Sequence, residues 1–438
     1  MKLFQQMLVA GATLSLLAPI AAQASNVLNL EEMNSYSRRK SKPKKFDSKT
    51  FINKVNNDTA NLKGSKDASE VNLQKLEAGG FSDTTTLDGK VILAAGAVQG
   101  ANELPSTATA DGTNEKVEVP MVYQMNLNTS FTGDDNLYVR LKGGTNWGSL
   151  ATKTATYHID AKNTTNGTFA VDKLWYTFPI GGFTATIGPK IENYYMLAAT
   201  PSIYKPGALK GFKLGGHASA FGASTSVGGG LKKVWDNGFA MSTTINSKKA
   251  SSTGGFLTDQ DQNKINTQIA YTADRYHLSA THSRQKGWNS WSYYSTSDLN
   301  AQAGGLDVDS DSVALRGWWR PEETGTATPS ISVGYDYMSF TDRTDVTKGS
   351  GYFVGLNWSD TFQPDDKIGL AVGQPMKATE AAPGNTLSEV DPFQWELYYS
   401  FRPNDSIEVT PALFGGTDVL ADTGDDVFGA VVSTKFKF

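Results

Sequence analysis

From residue 84 onward, apolar and polar side chains alternate with a period of two in segment after segment, the spacing that places successive residues on opposite faces of a β-strand. The last segment is the clearest. Phe428, Ala430, Val432, Thr434, Phe436 and Phe438 share one face, while Val427, Gly429, Val431, Ser433, Lys435 and Lys437 share the other. The same alternation predicts strands over 85–99, 118–131, 136–146, 169–178, 183–187, 219–234, 239–247, 264–272, 276–285, 312–320, 329–340, 350–359, 366–374, 392–402, 406–415 and 426–438, about sixteen in all. Short connections at 133–135, 179–182, 236–238, 273–275 and 403–405 carry Gly, Asn, Asp or Pro, the residues that tight turns require. Between them fall longer connections at 100–117, 147–168, 188–218, 248–263, 286–311, 341–349, 375–391 and 416–425.

A soluble β-sandwich also alternates, but it has no reason to keep short turns on one rim and long loops on the other over sixteen segments. That asymmetry fits an all-β fold, a transmembrane antiparallel β-barrel whose short rim is periplasmic. In such a barrel Phe393, Trp395, Leu397, Tyr399 and Phe401 face lipid and Gln394, Glu396, Tyr398, Ser400 and Arg402 face the interior; Leu137, Val139 and Leu141 likewise alternate with Tyr138, Arg140 and Lys142. Polar inner faces around sixteen strands imply a water-filled lumen. Its predicted lining carries Arg140, Lys142, Arg316, Arg320, Arg402, Lys435 and Lys437 against Asp336, Glu396 and Glu408. A basic bias of this kind favours anions, and a weakly selective pore is the alternative. Trp147, Trp175, Trp319, Trp358, Trp395 and Tyr352 suit the two interfacial girdles.

Composition places the chain in the envelope. Residues 1–24 join Lys2, an apolar run from Met7 to Ala22 and the small-residue end Ala22-Gln23-Ala24, the organisation of a cleaved signal peptide. No later stretch of the 438 residues approaches a helical membrane span. Residues 1–66 hold eleven Lys or Arg against four acids, about +7, which leaves about −11 for the rest of a chain of net charge −4. Residues 25–83 therefore form a basic periplasmic extension, with a short helix near Val71, Leu73 and Leu76. Its basic part, 36–66, either grips peptidoglycan or another anionic cell-wall polymer or is a solvated tail; nucleic acid is not an expected partner in an exported protein.

Covalent chemistry finds little support. With no cysteine there is no thiolate nucleophile or thiolate metal site. His277 and His282 lie five apart on one strand and point to opposite faces. Asp307, Asp309 and Asp311 open like a calcium loop, but Trp318 stands where a bidentate Glu is needed. Ser279 and His277 share a face without a third member. No cofactor or metal is implied, and an enzyme is not expected.

The segments FTGDDNLYVRLKGG (131–144), DKLWYTFPIGGFTATIGPK (172–190), MLAATPSIY (196–204), IGLAVGQP (368–375), DPFQWELYYSFRPNDSIEVTPALF (391–414) and DDVFGAVVSTKFKF (425–438) resemble the cyanobacterial branch of the carbohydrate-selective porin (OprB) family. The final phenylalanine is similar to the closing-strand signature of bacterial outer-membrane barrels. This resemblance implies a sixteen-stranded barrel over 84–438 that resides in the outer membrane, contacts its lipid and passes small hydrophilic solutes, among them sugars and inorganic ions including iron. It also implies that the long connection 188–218 folds inward as a constriction, with Lys190, Glu192, Tyr194, Tyr195, Lys205, Lys210 and Lys213 placed there, and homotrimers are usual for porins of this strand number. Family members in cyanobacteria usually carry a surface-layer-homology domain before the barrel; here only LEAGGFSDTTTLDG (76–89) resembles the end of that region. The competing reading is a structural envelope protein that tethers the outer membrane to the wall through the basic arm.

Overall fold

A computed structural model describes residues 84–99, 117–145, 167–216, 225–288, 297–300, 308–341, 343–387, 391–420 and 425–438. The expected signal peptide, the basic extension and Trp147 lie outside the described residues. Sixteen strands run in chain order: β1 (Thr85–Gln99), β2 (Met121–Thr129), β3 (Asn136–Gly144), β4 (Ala170–Ile180), β5 (Phe183–Glu192), β6 (Thr225–Val234), β7 (Phe239–Ser247), β8 (Asn263–Thr272), β9 (Tyr276–Lys286), β10 (Asp309–Trp319), β11 (Ser330–Thr341), β12 (Val346–Ser359), β13 (Lys367–Ala381), β14 (Phe393–Asn404), β15 (Ile407–Leu420) and β16 (Asp425–Lys437). Each pairs with its neighbours in sequence, and β16 pairs antiparallel with β1 from Lys90↔Lys437 to Gln99↔Phe428, so the sheet closes. Beyond the strand end, Phe438 exchanges two backbone hydrogen bonds with Gly89, of 2.8 and 3.2 Å.

Closure inverts the usual disposition of polarity. Leu231, Ile269, Leu278, Leu315, Leu370, Leu397 and Leu413 are exposed, whereas Gln268, Ser279, Thr281, Asp336 and Glu396 are buried. No helix among the described residues is long and apolar enough to cross a membrane; the strands, apolar outward, supply the crossing. Tight hairpins close the short rim, where Gly181 and Gly182 between β4 and β5 take φ of +53° and +79°, the left-handed pair that matches strand twist.

The rim asymmetry has exceptions. β11 and β12 are joined by only 342–345, because β12 begins four residues before the expected start, and β13 extends to Ala381 where a loop was expected from 375. Asp309 and Asp311 belong to β10 and pair with Arg284 at 3.8 and 2.8 Å; they are strand residues and not a solvated loop. Trp319, Trp358 and Trp395 sit on the outer face, but Trp175 does not. It is buried in the lumen, stacked at 4.5 Å on Tyr138, because it shares the inward parity of Lys173 on β4.

Candidate pore and its constriction

The connection from β5 to β6 does not project outward. It begins with a 3-10 turn at Asn193–Met196 and then runs along the inner wall, tied to strand after strand. Ala198 N donates to Ser242 Oγ on β7 at 3.1 Å, Ala199 exchanges two bonds with the Gln268 amide on β8, and Trp318 Nε1 on β10 donates to Thr200 O at 3.1 Å. Its far end reaches β14. There the Tyr204 hydroxyl and the backbone N–H groups of Gly207, Ala208 and Leu209 all donate to the Glu396 carboxylate, at 2.7 to 3.2 Å. Tyr398 OH donates in turn to Lys205 O at 2.6 Å.

On its return the strap passes Arg316, which donates to Leu214 O at 2.8 Å and to Asp336 at 2.7 Å, both side chains wholly buried. The approach is close enough that a Cβ on Gly334 would stand 1.6 Å from Gly215 O, and Gly215 itself takes φ +72°. Only glycine fits at both places. Tyr204, Ala208, Leu209 and Phe212 then pack on Phe353, Ala371, Tyr398, Ala412 and Phe414. Burying one such phenylalanine stabilises the docked strap by about 1.5–3 kcal/mol.

The strap covers much of the wall from β7 to β14 and leaves space beside β3 to β7 toward the long rim and between β1 to β3 and β13 to β16 toward the short rim. Two cavities lie there. The outer one, about 430 Å³, is lined by Lys142, Lys190 and Lys248 with Asp172. Burial and the neighbouring Lys249 lower the Lys248 ammonium to about 8. The inner one, about 570 Å³, lies between the strap tip and the short rim and is lined by Lys90, Arg140, Lys205, Lys367, Arg402, Lys435 and Lys437 against Asp88, Asp365 and Glu408. Arg140 and Lys142, two residues apart on one face of β3, line one cavity each.

Between them stands a basic and aromatic eyelet. The Arg140 guanidinium donates to Asn126 Oδ1 at 3.0 Å and Tyr195 OH at 3.2 Å, and lies 5.6 and 5.7 Å from the Tyr138 and Tyr195 rings. Lys173 pairs with Glu192 and sits 5.3 Å from the Tyr195 ring. Lys213 Nζ is 5.7 Å from the Tyr194 ring.

The predicted site residues therefore separate into groups. Arg140, Lys142, Arg402, Lys435 and Lys437 line the open cavities. Arg316 and Glu396 point inward as expected, but the strap covers both and they anchor it instead of meeting water. Arg320 lies past the end of β10, its Nε on Asp274 O at 2.7 Å. Lys190 and Glu192 are the last turnings of β5 and not of the connection, since β5 continues five residues past its expected end. Tyr194 and Tyr195 stand at the eyelet, Lys205 at the strap tip, Lys210 at the start of a second run of 3-10 turns, Lys210–Gly215, and Lys213 at the kink within it. Lys90, Lys173 and Lys367 were not singled out from sequence, although their inward parity was readable in their strands. His277 and Ser279 hydrogen-bond at 2.9 Å, but the other ring nitrogen meets Thr272 Oγ1 at 2.7 Å, not a carboxylate.

A closed sixteen-stranded barrel, apolar outside and narrowed by an inward strap, is the architecture of an outer-membrane porin. The sequence pattern of the Carbohydrate-selective porin, OprB family, matches residues 47–414, and the chain belongs to that family. It is a channel protein of the outer membrane. The chain is similar, at 25% identity over 86% of its length and 70% of the relative's, to the Uncharacterized protein alr4550 of the cyanobacterium Nostoc sp. (strain PCC 7120). Among solved structures its fold is similar to OmpT of Vibrio cholerae in trimer form (TM-score 0.52, 10% identity, 81% of this chain and 99% of that one) and to the anion-selective porin from Comamonas acidovorans (TM-score 0.50, 13% identity, 81% and 99%).

Proposed function

We propose that the barrel is a passive diffusion channel for small hydrophilic solutes, sorted by the width left beside the strap and by the charge of the two cavities. The observation that carries the charge preference is the lining of the inner cavity, seven cations to three carboxylates. At physiological ionic strength charges are screened over about 8 Å, so groups facing one another across a cavity of about 570 Å³ act together. Such a field favours anions and disfavours a hydrated metal cation such as iron. The eyelet rings of Tyr138, Tyr194 and Tyr195 beside Arg140 also suit an uncharged sugar, which offers hydroxyls to the guanidinium and an apolar face to a ring. The anion preference named for the Comamonas porin and the trimer named for OmpT make an anion-preferring homotrimer the reading we adopt. Residues 1–24 are read as the removed leader and 25–83 as a periplasmic arm. Reversal potentials of the refolded protein under a potassium chloride gradient test the charge preference. A chloride-preferring potential is expected, and a potassium-preferring one overturns it.

A further inference from the structure

We propose that the inner cavity is a binding site for a doubly charged, hydroxylated anion, of which a phosphorylated monosaccharide is the simplest kind, and not only a surface that repels cations. This inference rests on the barrel being an open channel.

The centre of the site is Glu408. Its carboxylate accepts from the Lys435 and Lys437 ammonium groups, the latter at 2.9 Å, and lies 3.8 Å from the Arg402 guanidinium. Asp365 lies at the same 3.8 Å from Arg402, so two carboxylates hold three cations in place, an arrangement that leaves one positive charge in excess and fixes long side chains before any ligand arrives. Lys90 on β1, Lys367 on β13 and Lys205 on the strap add to the same cavity. Asp88, two residues before Lys90 on β1, is already engaged by the amides of Asn126 and Asn128, at 2.6 and 3.0 Å. Like charges brought together in this way repel one another, and an entering anion offsets that cost in proportion to its own charge. A dianion therefore gains about twice what chloride gains.

The remaining lining selects among dianions. The hydroxyls of Ser400 and Thr410, themselves bonded at 2.9 Å, face the cavity with Ser433 and the Gln124 amide. They offer both donors and acceptors, which a bare inorganic ion does not need and a sugar does. A volume of about 570 Å³ falls within the range of about 300–1,000 Å³ found for small-molecule sites. Phosphate monoesters carry close to two charges above their second pKa of about 6.

The test adds glucose 6-phosphate to the periplasmic side of the refolded protein in a planar bilayer at about pH 7.5, where the monoester is a dianion. Chloride current should fall saturably, and at a much lower concentration than glucose requires. Lys205→Gln, on the strap and outside the Glu408 cluster, should weaken the block roughly tenfold, the loss of one charge-assisted contact of about 1.4 kcal/mol. The double variant K435Q/K437Q should weaken it further. Equal block by glucose, or no block in a channel that still prefers chloride, overturns the site. Folded barrels that do not conduct overturn the channel reading instead; calorimetric titration of the detergent-solubilised barrel then decides the site separately, saturable heat supporting it and none refuting it.

Discussion

Asp135 and Asp366 hold equivalent places in two periplasmic turns. Each carboxylate accepts from backbone N–H groups of the preceding turn: Phe131 and Thr132 for Asp135 at 2.9 and 2.8 Å, and Thr361, Phe362 and Gln363 for Asp366 at 2.7 to 3.1 Å. Each also accepts a tyrosine hydroxyl from the strand after the hairpin, Tyr176 at 2.7 Å or Tyr399 at 3.0 Å, which locks the outer aromatic girdle to the rim. The Tyr176 hydroxyl, with the Thr132 N–H, holds Asp135 far below the usual carboxylate range. For Asp366 burial pushes upward, but the N–H groups of Phe362 and Thr361 and the Tyr399 hydroxyl together bring it down. A carboxyl lowered in the folded state adds stability that is fully present above its unfolded value, about 3.9, and is lost as pH falls through the folded value. Wild-type barrels should therefore lose resistance to unfolding in detergent as pH drops from about 4, read by the heat-dependent gel mobility shift. Asp135→Asn and Asp366→Asn should be less resistant at neutral pH and show a shallower acid dependence; an unchanged acid profile contradicts this. The first turn was legible from the Gly and Asp residues at 133–135, whereas the turn before Asp366 was not among the short connections read. The tyrosine partners were not legible, because they come from a neighbouring strand.

The strap is the element on which selectivity depends, and Glu396 is its far anchor. Four donors converge on that one carboxylate, and hydrogen bonds to a charged group contribute about 1.5–3 kcal/mol each when a partner is removed. Glu396→Gln keeps the shape, removes the charge and turns one acceptor into a donor that faces N–H groups, so it should undock the tip while the barrel stays closed. The chain has no cysteine, so a spin label at Lys205→Cys is unique. Its spectrum should show increased mobility in the Glu396→Gln background, and an unchanged spectrum contradicts the anchoring role. Strand parity alone placed Glu396 and Arg316 on the inner face. What it did not reveal is that a second element stands in front of them: alternation reports which face a residue is on, not what covers that face. The apolar inner positions Val427 and Val431 were the available signal, since in a barrel filled only with water they would have no partner, and they pack in the cluster that also holds Leu209 and Phe212.

At the scale of the whole molecule, strand number, topology and the lipid face followed from one pattern, the period-two alternation. Strands such as 85–99 and 239–247 were read with their observed limits. Ends were misjudged where a strand extends beyond the apolar belt and its alternation fades, as in β5 and β13. The site was legible as a basic lumen but not as a division into covered anchors and open lining, because that division is made by the strap's path along the inner wall from β7 to β14. The central claim is that a water-filled path remains beside the strap and that the strap sets its width. Single-channel conductance of the refolded mature protein, measured beside a variant with 198–209 shortened, tests it most directly. Discrete steps that become larger on shortening are the predicted result; folded barrels that pass no current, or steps unaltered by the shortening, would contradict it.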